Sequence, residues 1–342
     1  MMNLFVHTYN PPARACPQSS GAARLRMPIL GGNPGPRGTR SSAGAQREAR
    51  ALNYRKALMV KPGSRIKLDD IDPAHIGSHA SHERARPEIA EHVAKMDELQ
   101  YLMYAEKRHS LLIVLQGLDA GGKDGVVRHL MSGMNPAGCK VTGFKGPTAE
   151  ELVHDFLWRV HPHTPGRGEV AIFNRSHYED VLAVRVHELA PKKVWSPRYD
   201  MINAFEKLLT VENETTILKF FLYISKQEQL ARFQERLENP AKNWKISDAD
   251  YKERQYWDQY IAAFEDMLDK TSTKHAPWFV IPANHKWFRD LAISSIIVET
   301  MQDMKMRPPK PTVDLDQIRE LYHAAVTEES GARKKKKTRK RK

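Results

Sequence analysis

The sequence predicts an α/β fold in which a parallel five-stranded sheet is covered by helices on both faces. Short apolar runs alternate with segments whose apolar residues recur every three or four positions, and this alternation is typical of parallel sheets. The first run, LLIVL, is apolar without a break, as in a central strand that is buried on both faces. The predicted strands cover residues 111–115, 140–144, 170–173, 217–222 and 278–281.

The helices are predicted from their periodicity and from their capping residues. A helix is expected to begin at Pro87, because the apolar residues after it recur at spacings of three and four. Capping boxes predict two further helix starts, one at Thr148 for a helix that runs through Arg159, and one at Ser225. The last helix is expected at about residues 285–304.

The positive charge of the chain is concentrated at its two ends. The 342 residues carry a net charge of +13, yet residues 1–47 hold six arginines and no acid, and residues 331–342 hold nine basic residues and no acid. Residues 48–330 are therefore left with about −2. We expect a disordered basic leader (1–47), a folded domain (48–306) and an extension (307–342) that ends in a disordered basic tail. The tail either is a solvated end without a partner or binds a polyanion electrostatically.

The chain has the features of a cytoplasmic protein. No run approaches the roughly 18 apolar residues of a membrane span, and the first residues do not resemble a secretory signal. The two cysteines, Cys16 and Cys139, fit a reducing compartment. We therefore expect no membrane partner.

The segment GLDAGGKDG follows the first predicted strand directly. Gly117, Gly122 and Lys123 have the spacing of a phosphate-binding loop, G-x-x-x-x-G-K. Backbone N–H groups of such a loop face phosphate oxygens, and the lysine adds a positive charge. The usual Ser or Thr after the lysine is replaced by Asp124, and a second acid, Asp119, lies inside the loop.

Asp119 indicates a metal ion. A carboxylate is repelled by bound phosphate unless a cation lies between them, so we expect Mg²⁺ at Asp119, with Mn²⁺ as the alternative ion. The other interpretation is an acid that stabilises the turn. Asp124 is expected to complement the dipole at the helix start. The residues expected to contact phosphate here are Gly117, Gly121, Gly122, Lys123 and Arg128.

A second polar motif, FNRSHYED, follows the third predicted strand. Phosphate-loop enzymes usually carry an acid at the end of this strand, and this chain has Asn174 there. Glu179 and Asp180, where the chain is expected to turn helical, could replace that acid, and Arg175 and Arg185 would face the phosphates. The alternative is that the acids complement a helix dipole and the arginines form surface ion pairs.

The stretch between the fourth and fifth strands predicts a lid. It is longer than a simple crossover, and insertions over strand ends often close over bound ligands. We expect the lid at about residues 232–271. Its cationic side chains either bind phosphate or pair with acids on a solvated helix; they are Arg232, Arg236, Lys242, Lys245 and Arg254. Lys145, at the end of the second strand, lies at the same sheet edge as the glycine loop.

Several long stretches together resemble the polyphosphate kinase 2 family. They are GLDAGGKDG, FKGPTAEELVHDFLWRVH, IFNRSHYEDVLAVRVHEL, LKFFLYISKQEQLARFQERLENPAKNWK and APWFVIPANHKWFRDLAIS, and the resemblance covers about residues 54–306. It implies a three-layer P-loop kinase of the thymidylate-kinase type with a helical lid. The implied activity is the transfer of phosphate between inorganic polyphosphate and nucleotides with Mg²⁺.

The resemblance also assigns residues. Asp119 and Lys123 match the family's loop, and Asn174 and Arg175 match its second motif, where many members have Asp-Arg. The form with Asn is similar to the class III branch, which accepts AMP as well as ADP. The positions that match basic residues of the family's phosphate channel are Arg185, Arg232 and Arg236.

The resemblance implies a reversible polyphosphate:AMP/ADP phosphotransferase that also takes other purine nucleotides and forms a homo-oligomer, either a dimer or a tetramer. The alternatives are an ATP-dependent nucleoside monophosphate kinase and a protein that binds nucleic acid through its tail; we do not expect a nucleic-acid partner. The expected metal ligand is Asp119. The expected nucleotide contacts are Lys145, Arg175 and Glu179, and the expected catalytic residues are Asp119, Lys123, Asn174, Arg175, Glu179 and Asp180.

Overall fold

The structure, a computed structural model, describes residues 53–339, with side chains described as far as residue 331. Five parallel strands form one sheet in the order β2-β3-β1-β4-β5. The predicted parallel five-stranded sheet is confirmed, and each strand end lies within two residues of its expected position. The strands are β1 (Ser110–Gln116), β2 (Cys139–Gly143), β3 (Val170–Asn174), β4 (Thr215–Tyr223) and β5 (Trp278–Pro282).

The described residues form eleven α-helices. They are α1 (Tyr54–Leu58), α2 (His82–Glu106), α3 (Lys123–Met131), α4 (Ala183–Val186), α5 (Lys192–Trp195), α6 (Arg198–Glu212), α7 (Lys226–Glu238), α8 (Asp248–Arg254), α9 (Trp257–Thr271), α10 (Lys286–Asp303) and α11 (Leu315–Arg339).

The sheet lies between two apolar layers, because successive side chains of a strand point to opposite faces. On β1, Leu111, Ile113 and Leu115 pack with buried side chains of α2, α3 and α10. Leu112 and Val114 pack on the other face with buried side chains of α6 and α9. The three-layer α/β architecture is therefore confirmed. Helix α9 belongs to the core, so of the expected lid only residues 232–256 contribute no side chain to the two apolar layers.

The strand register brings the two polar motifs to the same edge of the sheet. Strand β1 pairs with β3 on one side and with β4 on the other, and Leu115 lies opposite Asn174. The backbone N–H of Arg175 still donates to the carbonyl of Leu115, at 3.1 Å. The loop after β1 and the turn after β3 therefore begin side by side at the carboxyl ends of adjacent strands.

The predicted helix over residues 148–159 is wrong. The capping box itself forms, since Glu151 N–H donates to Thr148 Oγ1 at 3.2 Å and Thr148 N–H donates to Glu151 Oε2 at 2.7 Å. Only a 3₁₀ turn, Glu151–Val153, follows it. The side chain of Asp155 then accepts from the N–H of Leu157 at 2.9 Å, which replaces the helical bonding pattern with a local turn.

Two further differences concern the helices near the ends of the described chain. Helix α2 begins five residues before Pro87, so the proline lies in its second turn. Helix α11 continues through residue 339 and so includes most of the tail that was expected to be disordered. Its sequence is rich in Ala, Glu, Lys and Arg, which favour helix without any tertiary packing, and residues 315–331 are all exposed. The basic leader, 1–47, lies outside the described residues. None of the helices that the structure describes is both long and apolar enough to cross a membrane.

Candidate active site at the carboxyl edge of the sheet

The glycine loop makes a tight connection from β1 to α3. Gly122 is the N-cap of α3 with φ +100°, and a Cβ at this position would lie 2.3 Å from the guanidinium of Arg289. A Cβ on Gly117 would lie 2.8 Å from the carbonyl oxygen of Leu222. Gly121 N–H closes the turn on the carbonyl of Leu118 at 3.0 Å. The glycines are therefore required by the path of the loop, which leads its backbone to the start of a helix, the usual position for a bound anion.

Lys123 lies over the loop as the first residue of α3. Its Nζ donates to the carbonyl oxygens of Gly117 at 2.6 Å and of Leu118 at 3.2 Å. Burial lowers the pKa of Lys123 to about 8; the positive charge of Arg175 acts in the same direction, and the acids around it act in the opposite one. The ammonium group is thus held by carbonyl oxygens of the loop, and among the described residues no carboxylate forms an ion pair with it. This is expected of a group that binds phosphate.

Asp119 and Arg175 join the loop to the turn after β3. Asp119 Oδ1 accepts from Arg175 Nη2 at 2.8 Å, and both side chains are partly exposed, at 29% and 43%. Arg175 has φ +62°, so the backbone turns sharply at the residue that carries the guanidinium. The amide of Gln229, on α7, donates to the backbone carbonyl of Asp119 at 2.9 Å. The structure therefore brings together two of the predicted site residues from different motifs.

Asp124 joins Asn174 to the lid segment. Asn174 Nδ2 donates to Asp124 Oδ1 at 2.8 Å, and Lys245 Nζ lies 3.6 Å from Asp124 Oδ2. Burial acts to raise the pKa of Asp124, but the bond from Asn174 and the charges of Lys245 and Lys123 lower it overall. The acid that replaces the usual Ser or Thr is therefore a bridge between the loop, the second motif and residues 239–256.

Glu179 and Asp180 have different surroundings. Burial raises the pKa of Glu179, although Arg175 and Lys123 oppose this effect. With its amide oriented so that both ends have partners, Gln116 donates to Glu179 Oε1 at 3.1 Å. Asp180 instead pairs with Arg198 at 2.9 Å, and burial raises its pKa to about 6. Glu179 lies within the electrostatic reach of the loop, whereas Asp180 is held by α6.

The guanidinium group of Arg232 is hydrogen-bonded to backbone carbonyl groups. Arg232 is 6% exposed, and its guanidinium donates to Ala120 at 2.8 Å, to Asn284 at 3.1 Å and to Ala283. Its Nε also donates to Glu228 at 2.7 Å. The side chain that matches a phosphate-channel position thus holds the glycine loop against the segment after β5.

The other lid cations are paired with protein groups. Arg236 Nη1 lies 3.3 Å from Asp250 Oδ1, and Lys242 pairs with Glu235. Arg254 Nη1 donates to Gln229 Oε1 at 2.8 Å, and Gln229 in turn holds the loop carbonyl of Asp119. Arg236 and Lys242 are therefore ion-paired, as the alternative interpretation expects, and the phosphate role of all three cations stays a prediction.

Three predicted residues, all within the described range, make no side-chain hydrogen bond to the loop. Arg185 pairs with Asp266 of α9 at 2.6 Å, and its guanidinium lies 5.1 Å from the ring centroid of Trp195. Arg128 and Lys145 are exposed, on α3 and just after β2. Within the described part of the chain, none of the three side chains hydrogen-bonds to the glycine loop. The structure does not bring them together with Lys123 and Asp119.

Arg289 was missed by the sequence reasoning. It is 4% exposed on α10, donates to the carbonyl of Gly122 at 3.3 Å and pairs with Asp290 at 2.7 Å. The sequence feature that could have revealed it is a single arginine within the apolar pattern of the last helix.

A cluster of His187, Glu253 and Tyr260 was also missed, with His187 Nε2 and Tyr260 OH each 3.0 Å from Glu253 Oε2. Its members come from separate elements, so no local pattern reveals them.

A strand, a glycine loop whose lysine begins a helix, and a neighbouring strand that supplies polar groups define the site of a P-loop phosphotransferase. The model of the polyphosphate kinase 2 family matches residues 79–309. The chain belongs to this family, which confirms the resemblance and the predicted enzyme class.

Known relatives agree with this assignment. The AMP/ADP-polyphosphate phosphotransferase of Meiothermus ruber is 47% identical over 264 residues, which cover 77% of this chain and 98% of that protein. The ADP-polyphosphate phosphotransferase of Rhodopseudomonas palustris is 44% identical over 273 residues, 75% of this chain and 93% of that protein. The crystal structure of polyphosphate kinase 2 from Arthrobacter aurescens superimposes with a TM-score of 0.77 at 39% identity and covers 80% of this chain and 98% of that one.

The kinases of this family generally depend on a divalent metal ion, and the site has suitable oxygen donors. Asp119 presents a partly exposed carboxylate beside Lys123, and Glu179 lies near the same lysine. Among the described residues no three His, Cys, Asp or Glu side chains form a metal-binding cluster. Mg²⁺ commonly uses one or two carboxylates and takes its remaining ligands from phosphate and water. The residues therefore fit an ion that is held jointly with the substrate.

Proposed function

We propose that this chain transfers phosphoryl groups between inorganic polyphosphate and both AMP and ADP, reversibly and with Mg²⁺. The observation that carries the proposal is the arrangement at the sheet edge, where Lys123 lies in the glycine loop and Asp119 and Arg175 meet beside it. The relative from Meiothermus ruber, whose name includes both nucleotides, supports the two acceptors. An ATP-dependent nucleoside monophosphate kinase is not favoured by the family match.

The donor is taken to be a linear polyanion, so its site requires positive charge rather than a base pocket. In residues 232–256, Arg236 and Lys242 pair with carboxylates, and Lys245 lies 3.6 Å from a carboxylate oxygen of Asp124 in the loop. In our proposal, polyphosphate replaces these carboxylates as the partner of Lys242, Lys245 and Arg236. A phosphate chain offers many oxygen acceptors, and the pairs of Lys242 and Lys245 are exposed enough to solvent for it to separate them at little cost.

The reaction is an in-line displacement at the terminal phosphorus of polyphosphate. An oxygen of the AMP α-phosphate attacks, the bond to the next bridging oxygen breaks, and its electron pair remains on the shortened chain. That nucleophile is already an anion, so a strong base is not required, which is consistent with Asn174 in place of an acid. Catalysis is then positioning and charge neutralisation by the loop N–H groups, Lys123 and Arg175.

The acids have separate roles in this proposal. Asp119 holds the metal, which when bound offsets the charge of the phosphates. Glu179, near Arg175 and hydrogen-bonded by Gln116, orients the acceptor nucleotide together with Lys145. Asp124 fixes Asn174 and receives Lys245 when the lid residues lie against the loop. Asp180 supports the turn through Arg198.

We further propose a cytoplasmic homo-oligomer, either a dimer or a tetramer, whose kinase domain spans residues 48–306. Its lid would be confined to residues 232–256, because α9 contributes Phe264, Met267 and Leu268 to the core.

The experiment is a donor comparison. Purified protein is incubated with AMP and Mg²⁺ and either polyphosphate or ATP, and the nucleotides are separated by chromatography. We expect ADP and then ATP from polyphosphate, and little conversion when ATP is the donor. If ATP is the only donor that phosphorylates AMP, GMP, UMP or dTMP, the protein is a nucleoside monophosphate kinase instead.

A truncation tests the nucleic-acid alternative. Removal of residues 331–342 should leave the polyphosphate reaction intact, whereas a nucleic-acid-binding function of the tail would be lost.

A further inference from the structure

A fully buried charged network lies beneath the turn after β3. Lys219 of β4 and Glu206 of α6 are both 0% exposed, and Lys219 Nζ lies 2.6 Å from Glu206 Oε2. The ammonium group also donates to Tyr178 OH at 2.9 Å and to the carbonyl of Thr271 at 2.7 Å, so each of its three protons has an acceptor. None of these groups belongs to the P-loop or the lid.

Tyr178 connects this network to the turn after β3. Its hydroxyl accepts from Lys219 and donates to Glu206 Oε1 at 2.8 Å, and its ring packs edge-on against Trp278 with the centroids 4.9 Å apart. The neighbouring His177 Nε2 lies 3.4 Å from the same Glu206 oxygen. These two residues begin the 3₁₀ turn His177–Asp180.

The residues before and after this pair carry the groups that are near the glycine loop. Arg175, in the left-handed region at φ +62°, is followed by Ser176, whose Oγ accepts from the N–H of Tyr178 at 3.2 Å. Glu179 follows Tyr178 directly and is influenced by Arg175 and Lys123. A displacement of Tyr178 would therefore move the groups on both sides of it.

Fold stability does not explain such a network well. A buried ion pair is often no more stabilising than apolar side chains of similar volume, whereas the loss of one partner is strongly destabilising. Two opposite charges with satisfied hydrogen bonds do, however, fix geometry, because each bond allows only a narrow range of positions. This rigidity is applied to a turn whose first residue has a strained backbone.

We propose that Lys219, Glu206 and Tyr178 are positioning residues, which set the turn after β3 so that Arg175 and Glu179 reach the reacting phosphates. The inference rests on the proposed function. Reactions that depend on positioning lose roughly 100-fold in rate for misplacements of about 1 Å. The effect should therefore appear in kcat, while KM for polyphosphate, which depends on the loop and lid, changes little.

The test uses the full chain with Tyr178→Phe, which keeps the ring and removes only the hydroxyl. We expect kcat for AMP to fall by about 10- to 100-fold, with KM for polyphosphate within about twofold of wild type. In a double-mutant cycle with Glu179→Gln the effects on kcat should be less than additive, because both changes act through one turn. Hydrogen–deuterium exchange should be faster for the amides of residues 175–182.

The matched control is Ser110→Ala with Thr215→Val. It removes a buried pair of hydroxyl groups, 2.9 Å apart, at the amino-terminal ends of β1 and β4, the ends far from the candidate site. This variant should lower Tm without changing kcat or the exchange of residues 175–182. If Tyr178→Phe does not fold, the paired change Lys219→Met with Glu206→Gln removes both charges and leaves neither buried alone.

The proposal is overturned if a folded network variant keeps wild-type kcat and wild-type exchange at residues 175–182 while its Tm falls as in the control. If the wild-type chain itself shows no transfer from polyphosphate, the proposed function fails, and the exchange comparison still decides whether the network holds the turn.

Discussion

Asp119 Oδ1 and Arg175 Nη2 lie 2.8 Å apart and form an ion pair across the sheet edge, from the loop after β1 to the turn after β3. Both side chains are partly exposed, so the pair is screened by solvent and contributes little to stability. Each group also has a substrate-related role in the proposed reaction, Asp119 toward the metal and Arg175 toward phosphate. We therefore interpret the pair as the arrangement of the free site, which substrate and metal separate.

Replacing Asp119 should remove most activity. Asp119→Asn keeps the size of the side chain but weakens its affinity for a divalent ion, so kcat/KM should fall by about 100-fold or more. The loss should be partly recovered at high Mg²⁺ if the asparagine oxygen still binds weakly. Initial rates over a series of Mg²⁺ concentrations measure both effects.

Asp124→Asn is the matched control for this change, since it alters the other acid of the same loop. We expect a smaller decrease, about 10-fold, because its contacts with Asn174 and Lys245 position other groups. Near-normal rates for Asp119→Asn at every Mg²⁺ concentration would falsify the metal role.

The rate should fall at alkaline pH through Lys123. Its pKa is lowered to about 8 in the folded chain by burial, so the ammonium charge is present below pH 8 and is lost above it. We expect kcat/KM to decrease as the pH rises through about 8. Because the unfolded lysine keeps its proton up to about pH 10.5, the cost of burying this charged group is relieved as the pH rises from about 8 to 10.5, so its effect is to increase the stability of the fold over that range.

Lys123→Arg serves as the control, because a guanidinium keeps its charge at this pH. This variant should be slower throughout, and its alkaline decrease near pH 8 should be absent. An unchanged decrease in Lys123→Arg would assign the titration to another group. Circular dichroism over the same range checks that the chain remains folded.

Lys245 should act on polyphosphate rather than on the acceptor. Lys245→Ala removes a charge-assisted contact, so KM for polyphosphate should rise by about 10-fold, with KM for AMP nearly unchanged. The increase should shrink at high salt. Lys95→Ala, which removes an exposed lysine paired with Glu98 on α2, is the control and should have no effect. Equal increases of KM for both substrates would contradict a donor-specific role.

Arg232 should matter for stability more than for binding. Its replacement by Ala leaves the carbonyls of Ala120, Ala283 and Asn284 without their donors, which should lower the free energy of unfolding by about 3 kcal/mol. Arg236→Ala, on the same helix but with fewer buried contacts, should lower it by about 1 kcal/mol. Urea denaturation followed by fluorescence measures both. A stable but inactive Arg232→Ala would favour the phosphate-channel role instead.

The sheet could be predicted because its signal is local. Strand β1 contains an unbroken apolar run, residues 111–115, between Ser110 and Gln116, and such a run is typical of a central parallel strand that is buried on both faces. The segment from Thr148 could not be assigned by the same means. Its capping box forms as predicted, yet Asp155 ends the helix at once with a side-chain turn that competes with helical bonding.

The site was predictable in its residue types but not in its partners. Asp119 and Lys123 stand out by spacing alone, whereas the contact of Asp119 with Arg175 depends on the pairing of β1 with β3. Arg232 looked like a phosphate ligand because its pattern shows only a cationic helix face; its carbonyl partners come from two distant segments. The buried ion pair of Lys219 could not be predicted from its position in an apolar strand, because its counterion lies on α6.

The most direct test follows the phosphorus itself. Wild-type protein, polyphosphate, Mg²⁺ and AMP are observed by ³¹P NMR over time, with no ATP added. The account predicts that the signal of internal polyphosphate groups decreases while the β-phosphate of ADP, and later the γ-phosphate of ATP, appear in matching amount. An unchanged polyphosphate signal, with AMP as the sole nucleotide at the end, would contradict it.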